Sequence, residues 1–381
     1  MIKRFAAQNL GLFEKCEVDL EPFTVFIGKN STGKTTVLRA IRTLAILTRL
    51  PLYPGKSRRL ISLSPTMTLE DLFGDLSKPL VLSVDVESDA GQGSYSVEFT
   101  RDPLAEVVEV TGETASWRGT NSTFEYDARR DAFDFDFRGT KVTAGLPRNS
   151  TLPYLAFPFY RERAPEGLKL APLYEIMTAF TPFHVFRLSP AAIAMPADPT
   201  AEVSHDGRGL AAELDRILGS DRRTFDKIVA DLREAFPHIV DLKIETRTHA
   251  SRGAQKALAF EVRGNRVIPA EAESDGVLLT LAYSWLANTG KTGVGVEEPE
   301  TGAYPRLVYD RVATLRALAE RGVQVIATTQ SPVLLTAVGR SDDVRIFQQD
   351  NSGKACVVAA GDGWVQDTIH RHLEWTVTNE R

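Results

Sequence analysis

Gly28-Lys29-Asn30-Ser31-Thr32-Gly33-Lys34-Thr35 is the stretch on which the reading of this chain turns. It satisfies G-x-x-x-x-G-K-[ST], the phosphate-cradling P-loop pattern. Glycines at that spacing let successive backbone N–H groups curl around phosphate oxygens without Cβ clashes. The helix that follows adds the positive end of its dipole. In such a loop Lys34 reaches the β- and γ-phosphates and the Thr35 hydroxyl ligates Mg²⁺. The surroundings are those the pattern requires. Upstream, Phe23-Thr24-Val25-Phe26-Ile27 is an apolar, β-branched and aromatic run that predicts a buried strand. Downstream, the spacing predicts a helix over 34–50 with Val37, Leu38, Ile41, Leu44 and Ala45 on one face, stopped by Pro51, Pro54 and Gly55. A purely structural glycine turn is the alternative, and this context disfavours it. The stretch predicts nucleotide binding.

Working outward, residues 79–145 switch to period two. Leu80, Leu82, Val84 and Val86 alternate with Val81, Ser83, Asp85 and Glu87, and Phe133, Phe135 and Phe137 alternate with aspartates. This predicts an antiparallel β lobe with one wet face. From 146 to 200 the chain is Pro-rich and irregular, with one helix expected over 173–179. Amphipathic helices are expected over 209–218 and 222–236, and strands over 238–245 and 258–262. Beyond 276 strands and helices alternate, which implies a mostly parallel sheet.

Three further segments carry chemistry. Val294-Gly295-Val296-Glu297-Glu298-Pro299-Glu300 is a strand ending in paired acids, the form of a Walker B element. Glu297 is placed to hold Mg²⁺ through water and Glu298 to polarise the attacking water; a solvated acidic turn is the bland alternative. Val325-Ile326-Ala327-Thr328-Thr329-Gln330-Ser331-Pro332 is a strand running into a polar turn and a Pro-started helix. Gln330 could sense the γ-phosphate or water by hydrogen bonding, and an ordinary capping turn is the alternative. Ser274-Asp275-Gly276 opens an apolar helix expected to reach Ala287. By local sequence it reads first as a helix cap, although a helix N-terminus can cap and bind phosphate at once.

Composition narrows the classes. Of 381 residues, 43% are hydrophobic and 25% charged, and no apolar run approaches the roughly 18 residues of a membrane span. The start, Met1-Ile2-Lys3-Arg4, is basic but interrupted too soon for a secretory segment. Two cysteines, Cys16 and Cys356, exclude a disulfide framework, and a reducing cytoplasm is the expected setting. A net charge of −5 argues against a chain coated for nucleic acid, though not against a local basic patch. Small clusters (Lys56, Arg58 and Arg59; Arg222 and Arg223; Arg161 and Arg163 among aromatics) read as solvated faces or core lids. No histidine spacing suggests a zinc site.

The four segments, in this order, resemble the ATPase heads of the ABC superfamily, in its non-transporter, AAA-labelled branch. That branch includes RecF, the SMC heads and the ATPase part of OLD nucleases. "IGKNSTGKTTVLRAI" is similar to its Walker A, "ESDGVLLTLAYSWLA" to its signature segment, "VGVEEPETGAYP" to Walker B with the D-loop, and "VIATTQSPVLL" to its switch strand. The resemblance implies an α/β P-loop head with a mixed or parallel core sheet, an antiparallel β lobe and a helical insert. The expected division is 1–50 with 269–381 as ATPase core, 79–145 as lobe and 146–268 as insert. It implies ATP and Mg²⁺ as cofactors, held by Gly28, Lys29, Asn30, Ser31, Thr32, Gly33, Lys34, Thr35 and Thr36. It also implies a homodimer closing head to tail around two ATPs, in which Ser274, Asp275 and Gly276 of one copy complete the partner's site.

Three departures qualify the pattern. The family's switch His is Gln330, which cannot carry a proton, so slow hydrolysis is expected. Tyr304 stands where a His precedes Pro305, and no Gln lies between Gln92 and Gln255 to serve as the Q-loop residue. OLD-type chains carry a nuclease (TOPRIM) domain beyond the switch strand, whereas only about 50 residues follow Pro332 here. The expectation is therefore a cytoplasmic ATPase gating a separately encoded effector, a nuclease above all, as in two-gene phage-defence systems such as Septu or PARIS. A RecF-like DNA-binding repair factor is the alternative. A P-loop kinase or GTPase is disfavoured, because no N-K-x-D motif is present and more than 250 residues separate Lys34 from Glu297.

Overall fold

Period-two patterning dominates the first half of the chain, and it becomes one large antiparallel sheet. The computed structural model describes residues 1–47, 68–104, 107–119, 122–127, 132–137, 140–145, 176, 179, 183–249, 251, 253–289, 293–349 and 353–360. They fall into two units, the first being Met1–Phe183 with Ser341–Gly361 and the second centred on His184–Arg340.

In the first unit, β1 (Ile2–Leu10) and β2 (Phe13–Asp19) form a hairpin, and β3 (Phe23–Gly28) leads to the P-loop and α1 (Lys34–Leu47). There follow β4 (Leu80–Ser88), β5 (Gly91–Asp102), β6 (Val107–Gly119), β7 (Ser122–Asp127), β8 (Ala132–Phe137) and β9 (Thr140–Gly145). The sheet order is β2-β1-β4-β5-β6-β7-β8-β9, antiparallel throughout. Alternation sorts its faces as read: Leu80, Leu82, Val84, Val86, Tyr95, Val97 and Phe99 are buried. On the other face the Ser83 and Ser96 hydroxyls pair at 2.8 Å. The sheet also takes in residues 2–19. Only a long-range pairing of β1 with β4 could reveal that, and local pattern carries no trace of it.

Every residue of β3 up to Ile27 is buried, as a strand covered on both faces must be. The face of α1 predicted from spacing (Val37, Leu38, Ile41, Leu44 and Ala45) is buried in full. Each large aliphatic side chain on it contributes ~1.5–3 kcal/mol. Two further strands, numbered in chain order as β16 (Val344–Gln349) and β17 (Ala355–Ala359), return to this unit. β16 pairs in parallel with β3 and antiparallel with β17. Beneath the P-loop the Phe13 ring, 1% exposed, meets Phe347 edge-on at 6.1 Å, and Phe347 lies 4.8 Å from Phe26. Gly33 rests on that floor at φ +92, where an added Cβ would fall 2.3 Å from the Phe13 ring. Phe13→Ala is expected to lower stability by about 3–5 kcal/mol in urea unfolding. A loss below about 1 kcal/mol would show that Phe13 is not the floor.

The second unit contains β10 (Phe183–Phe186), α2 (Pro190–Ala194), α3 (Leu210–Ser220) and α4 (Arg222–Ala235). A three-stranded antiparallel sheet follows, β11 (Ile239–His249), β12 (Gly253–Val262) and β13 (Arg266–Pro269). Then come α5 (Asp275–Asn288), β14 (Gly293–Glu297), α6 (Pro305–Glu320), β15 (Gln324–Thr329) and α7 (Pro332–Val338). β10, β14 and β15 lie side by side, with β14 parallel to β15 and every residue of both buried. Helix α5 is apolar on all sides and buries nine residues. Asp231 of α4 ties to it, accepting hydrogen bonds from Ser284 Oγ at 2.6 Å and Asn288 Nδ2 at 3.2 Å.

Within the stretch read as irregular, β10 and α2 are ordered elements too short to show a period. The basic cluster at 56–59 and the aromatic–basic run at 154–163 lie outside the described residues. So does the expected helix over 173–179, save Ile176 and Ala179, which are both helical.

Candidate functional site

The P-loop is shaped by its own contacts. Ser31 and Gly33 both take left-handed backbone, at φ 61 and φ 92, so the chain coils tightly enough to turn its N–H groups inward. Thr32 Oγ1 donates to Lys29 O at 2.9 Å and closes the coil. Gln349 of β16 braces it from outside, donating to Ser31 O at 3.1 Å. The Lys34 ammonium lies across the loop, donating to Gly28 O at 2.7 Å and Lys29 O at 2.6 Å. Val37 N–H donates to Gly33 O at 3.0 Å, so α1 springs directly from the last loop residue. Lys29, Asn30 and Ser31 are exposed, Thr32 is buried, and Gly33, Lys34, Thr35 and Thr36 are half-buried. The first turn of a helix offers N–H groups that its own ladder does not use, and α1 begins at the last residues of the loop.

In the second unit, β14 ends on Glu297, 8% exposed. The next residue, Glu298, sits at φ 49, a left-handed conformation that costs a non-glycine residue about 1–3 kcal/mol. It is fixed there by its N–H, which donates to Thr328 O at 2.8 Å, and its carboxylate lies 3.6 Å from the Arg187 guanidinium. The loop beyond is anchored twice. Arg311 of α6, 3% exposed and stacked 5.0 Å over the Tyr283 ring, donates through Nη1 to Pro299 O (2.6 Å) and Thr301 O (2.7 Å). Glu300 Oε1 accepts from Thr329 Oγ1 at 2.6 Å and from the Gln330 N–H at 3.4 Å. Burial pushes the Glu300 carboxyl above the usual range, and hydrogen bonds from Thr329 and Gln330 oppose that. Burial likewise depresses Arg311 and raises Tyr283.

The turn after β15 does cap its helix, but through Ser331, whose Oγ accepts from Leu334 N–H at 3.5 Å. Gln330 is exposed beside it. Ser274 stands at the N-cap of α5 with extended backbone, yet its hydroxyl makes no capping hydrogen bond. Its own N–H donates instead to Glu273 Oε1 at 2.9 Å. Ser274 and Asp275 are exposed at the end of an otherwise buried helix. Gly276 has room for a methyl group, the nearest atoms to an added Cβ being Leu307 Cδ1 at 3.6 Å and Phe236 Cζ at 3.7 Å.

Thus the second unit gathers Glu297, Glu298 and Gln330 around one loop–turn pair. The supporting residues Arg187, Glu300, Thr329 and Arg311 went unread. Of these only Glu300 left a signal, as the third acid of a short acidic run. No helix among the described residues is long and apolar enough to cross a membrane.

Residues 1–51 match the family model of an AAA ATPase domain. Residues 184–336 match that of an AAA domain described as a putative AbiEii toxin of a type IV TA system. No curated protein matches the chain. Among solved structures, an SMC head bound to the C-terminal winged-helix domain of ScpA superposes with a TM-score of 0.51 at 15% identity, over 96% of this chain and 99% of that one. That match shows the fold. The SMC head domain from Thermotoga maritima gives 0.39 at 12% identity, over 94% and 99% of the two chains. An SMC head with an extended coiled coil, bound to a ScpA C-terminal domain derived from Pyrococcus furiosus, gives 0.44 at 13%, over 98% and 99%.

Proposed function

We propose that this chain, whose fold and two matched segments mark it as an ABC-type AAA ATPase resembling SMC and RecF heads, binds and slowly hydrolyses ATP to gate a separately encoded effector. The observation that carries the reading is the ready-made phosphate cradle, a left-handed coil at Ser31 and Gly33 with the Lys34 ammonium laid across it. ATP is held by residues 28–36. Mg²⁺ is commonly held by one or two protein oxygens plus phosphates and water, and the Thr35 hydroxyl and the Glu297 carboxylate are the oxygens that the motifs would offer it. The ion would screen charge developing on the phosphates. Glu298 accepts the proton of the attacking water, and Gln330 orients that water by hydrogen bonding alone, which keeps turnover slow.

Two copies close around two ATPs, and Ser274, Asp275 and Gly276 of each complete the other's site. Two features of the second unit support this. The Ser274 hydroxyl is not spent on capping, and Gly276 is not required by packing within the chain. Glycine is the residue used where a ligand or another backbone approaches closely, and at Gly276 no neighbour within the chain requires it. Gly276→Ala is therefore expected to leave thermal stability equal or higher while weakening ATP-dependent dimerisation about tenfold, read by light scattering with and without ATP. A variant that dimerises normally would remove Gly276 from the nucleotide contact.

The effector, by this reading a nuclease acting in anti-phage defence, is a second gene product. The toxin–antitoxin description of the model matched by 184–336 and the separate ScpA domain carried by the matched SMC head are both in keeping with a head that meets a protein partner. Co-purification of a nuclease-like protein with the chain from its native host tests the pairing. The matched fold equally suits a RecF-like ATP-dependent DNA-binding factor. ATP turnover stimulated by duplex DNA in the purified chain, with no partner present, would select that alternative.

A further inference from the structure

The acid that follows the Walker B pair has its own network. Glu300 Oε1 accepts the Thr329 hydroxyl proton at 2.6 Å, and that same hydroxyl accepts the Ser331 N–H at 2.9 Å. Thr329 is wholly buried, so its hydroxyl has no competing water. The Gln330 N–H also points at Glu300 Oε1, at 3.4 Å. On the other side, Thr301 N–H donates to Glu298 O and Ala303 N–H to Glu300 O, at 3.0 and 3.1 Å, so Glu298 and Glu300 share one compact turn. Arg311 grips that turn at Pro299 O and Thr301 O. The loop is rigid where Arg311 holds it; one backbone bond, from the Glu298 N–H to Thr328 O, joins it to β15, and the Glu300 carboxylate carries the link on to Thr329 and the turn beyond.

We propose that Glu300 is a positioning residue that, through Thr329, locks the loop carrying Glu298 to the turn carrying Gln330, so that the two groups acting on the attacking water are set as one unit. This rests on the ATPase reading above and goes beyond it by naming what fixes the mutual placement of Glu298 and Gln330. A buried carboxylate is a costly way to make two hydrogen bonds, and here burial holds its proton more tightly than in an ordinary glutamate. Geometry accounts for a carboxylate here: the side chain reaches Thr329 from a turn whose backbone is already committed to Arg311 and Glu298. Because the tie is made by an acceptor oxygen, an amide can replace it, whereas a methyl group cannot.

The test compares Glu300→Ala, Glu300→Gln, Thr329→Val, Thr329→Ser and the double variant Glu300→Ala/Thr329→Val. Their kcat and ATP dissociation constant are measured, together with amide exchange at 330–334 in the nucleotide-free chain. Glu300→Ala and Thr329→Val are each expected to lower kcat about tenfold with ATP affinity within about twofold of wild type. Exchange at 330–334 is expected to quicken by a similar factor. Glu300→Gln and Thr329→Ser should recover most of both quantities, and the double variant should be no worse than either single one. The near-isosteric Thr329→Val keeps the test alive should Glu300→Ala fail to fold. The proposal is overturned if Glu300→Gln is as slow as Glu300→Ala, if ATP affinity falls in step with kcat, if the double variant is additive, or if exchange is unchanged. A wild-type chain that neither binds nor hydrolyses ATP sinks the functional reading instead, and the exchange measurement still judges the tie.

Discussion

Lys34→Ala is expected to lower ATP affinity by about 100-fold or more and to abolish turnover, while leaving the fold intact. In the structure the Lys34 ammonium has two acceptors, Gly28 O and Lys29 O, both loop carbonyls that solvent can also satisfy. The loop's shape does not depend on it: Thr32 closes the coil onto Lys29, Val37 bonds Gly33, and Phe13 supports Gly33 from below. Removing the ammonium therefore subtracts charge-assisted phosphate contacts, worth ~1.5–3 kcal/mol each, with little effect on the cradle. Each 1.4 kcal/mol is a factor of ten, so two such contacts amount to roughly a hundredfold or more. Titration calorimetry with ATP and Mg²⁺ checks the affinity, and a thermal melt within about 2 °C of wild type checks the fold. Lys34→Arg is expected to rescue poorly, because a planar guanidinium does not fit a space shaped for a compact ammonium. Unchanged ATP affinity in Lys34→Ala would remove the P-loop assignment and the functional reading with it.

The second large effect is at Glu298. Glu298→Gln keeps shape and hydrogen-bonding reach but cannot take a proton, so kcat is expected to fall by about 10²–10⁴. ATP binding should persist, and the dimer formed on ATP should last long enough to isolate by gel filtration. A paired variant separates chemistry from backbone. Glu298 occupies φ 49 against its intrinsic preference. Glu298→Gly should therefore be as inactive as Glu298→Gln, yet it recovers part of the 1–3 kcal/mol that a left-handed non-glycine residue costs, unless the flexibility of the unfolded glycine cancels it. A stability gain joined to loss of turnover is the signature of conformational strain kept for function. Hydrolysis at wild-type rate by Glu298→Gln would take Glu298 out of the reaction.

Much of this was legible in the chain. The P-loop, the buried face of α1, the alternation in β4 and the start of α5 are all local patterns, written within a few residues of where they act. What escaped reading shares one property: it depends on residues brought together by the fold. The pairing of β1 with β4 has no local mark. Neither has the left-handed backbone of Glu298, since glutamate is no conventional signal for that conformation. Arg311 reads as an ordinary helix cation and proves to be a buried clamp on a loop ten or twelve residues away. Arg187 is distant in sequence from Glu298 and beside it in space. Ser274 shows the opposite limit. Local sequence predicts a cap, the backbone is that of a cap, and the hydroxyl is not used for it.

The pairing of β3 with β16 also sets a timetable. The brace from Gln349 to Ser31 spans 318 residues, and the P-loop strand lies in a unit that joins Met1–Phe183 to Ser341–Gly361. A ribosome adding 5–20 residues per second needs on the order of half a minute to deliver β16 after β3 has emerged. Throughout that interval the edge of β3 that β16 will pair stays open, the condition that invites misassociation. Completion of the strand pair behind the P-loop is thus set by late synthesis and a long loop closure.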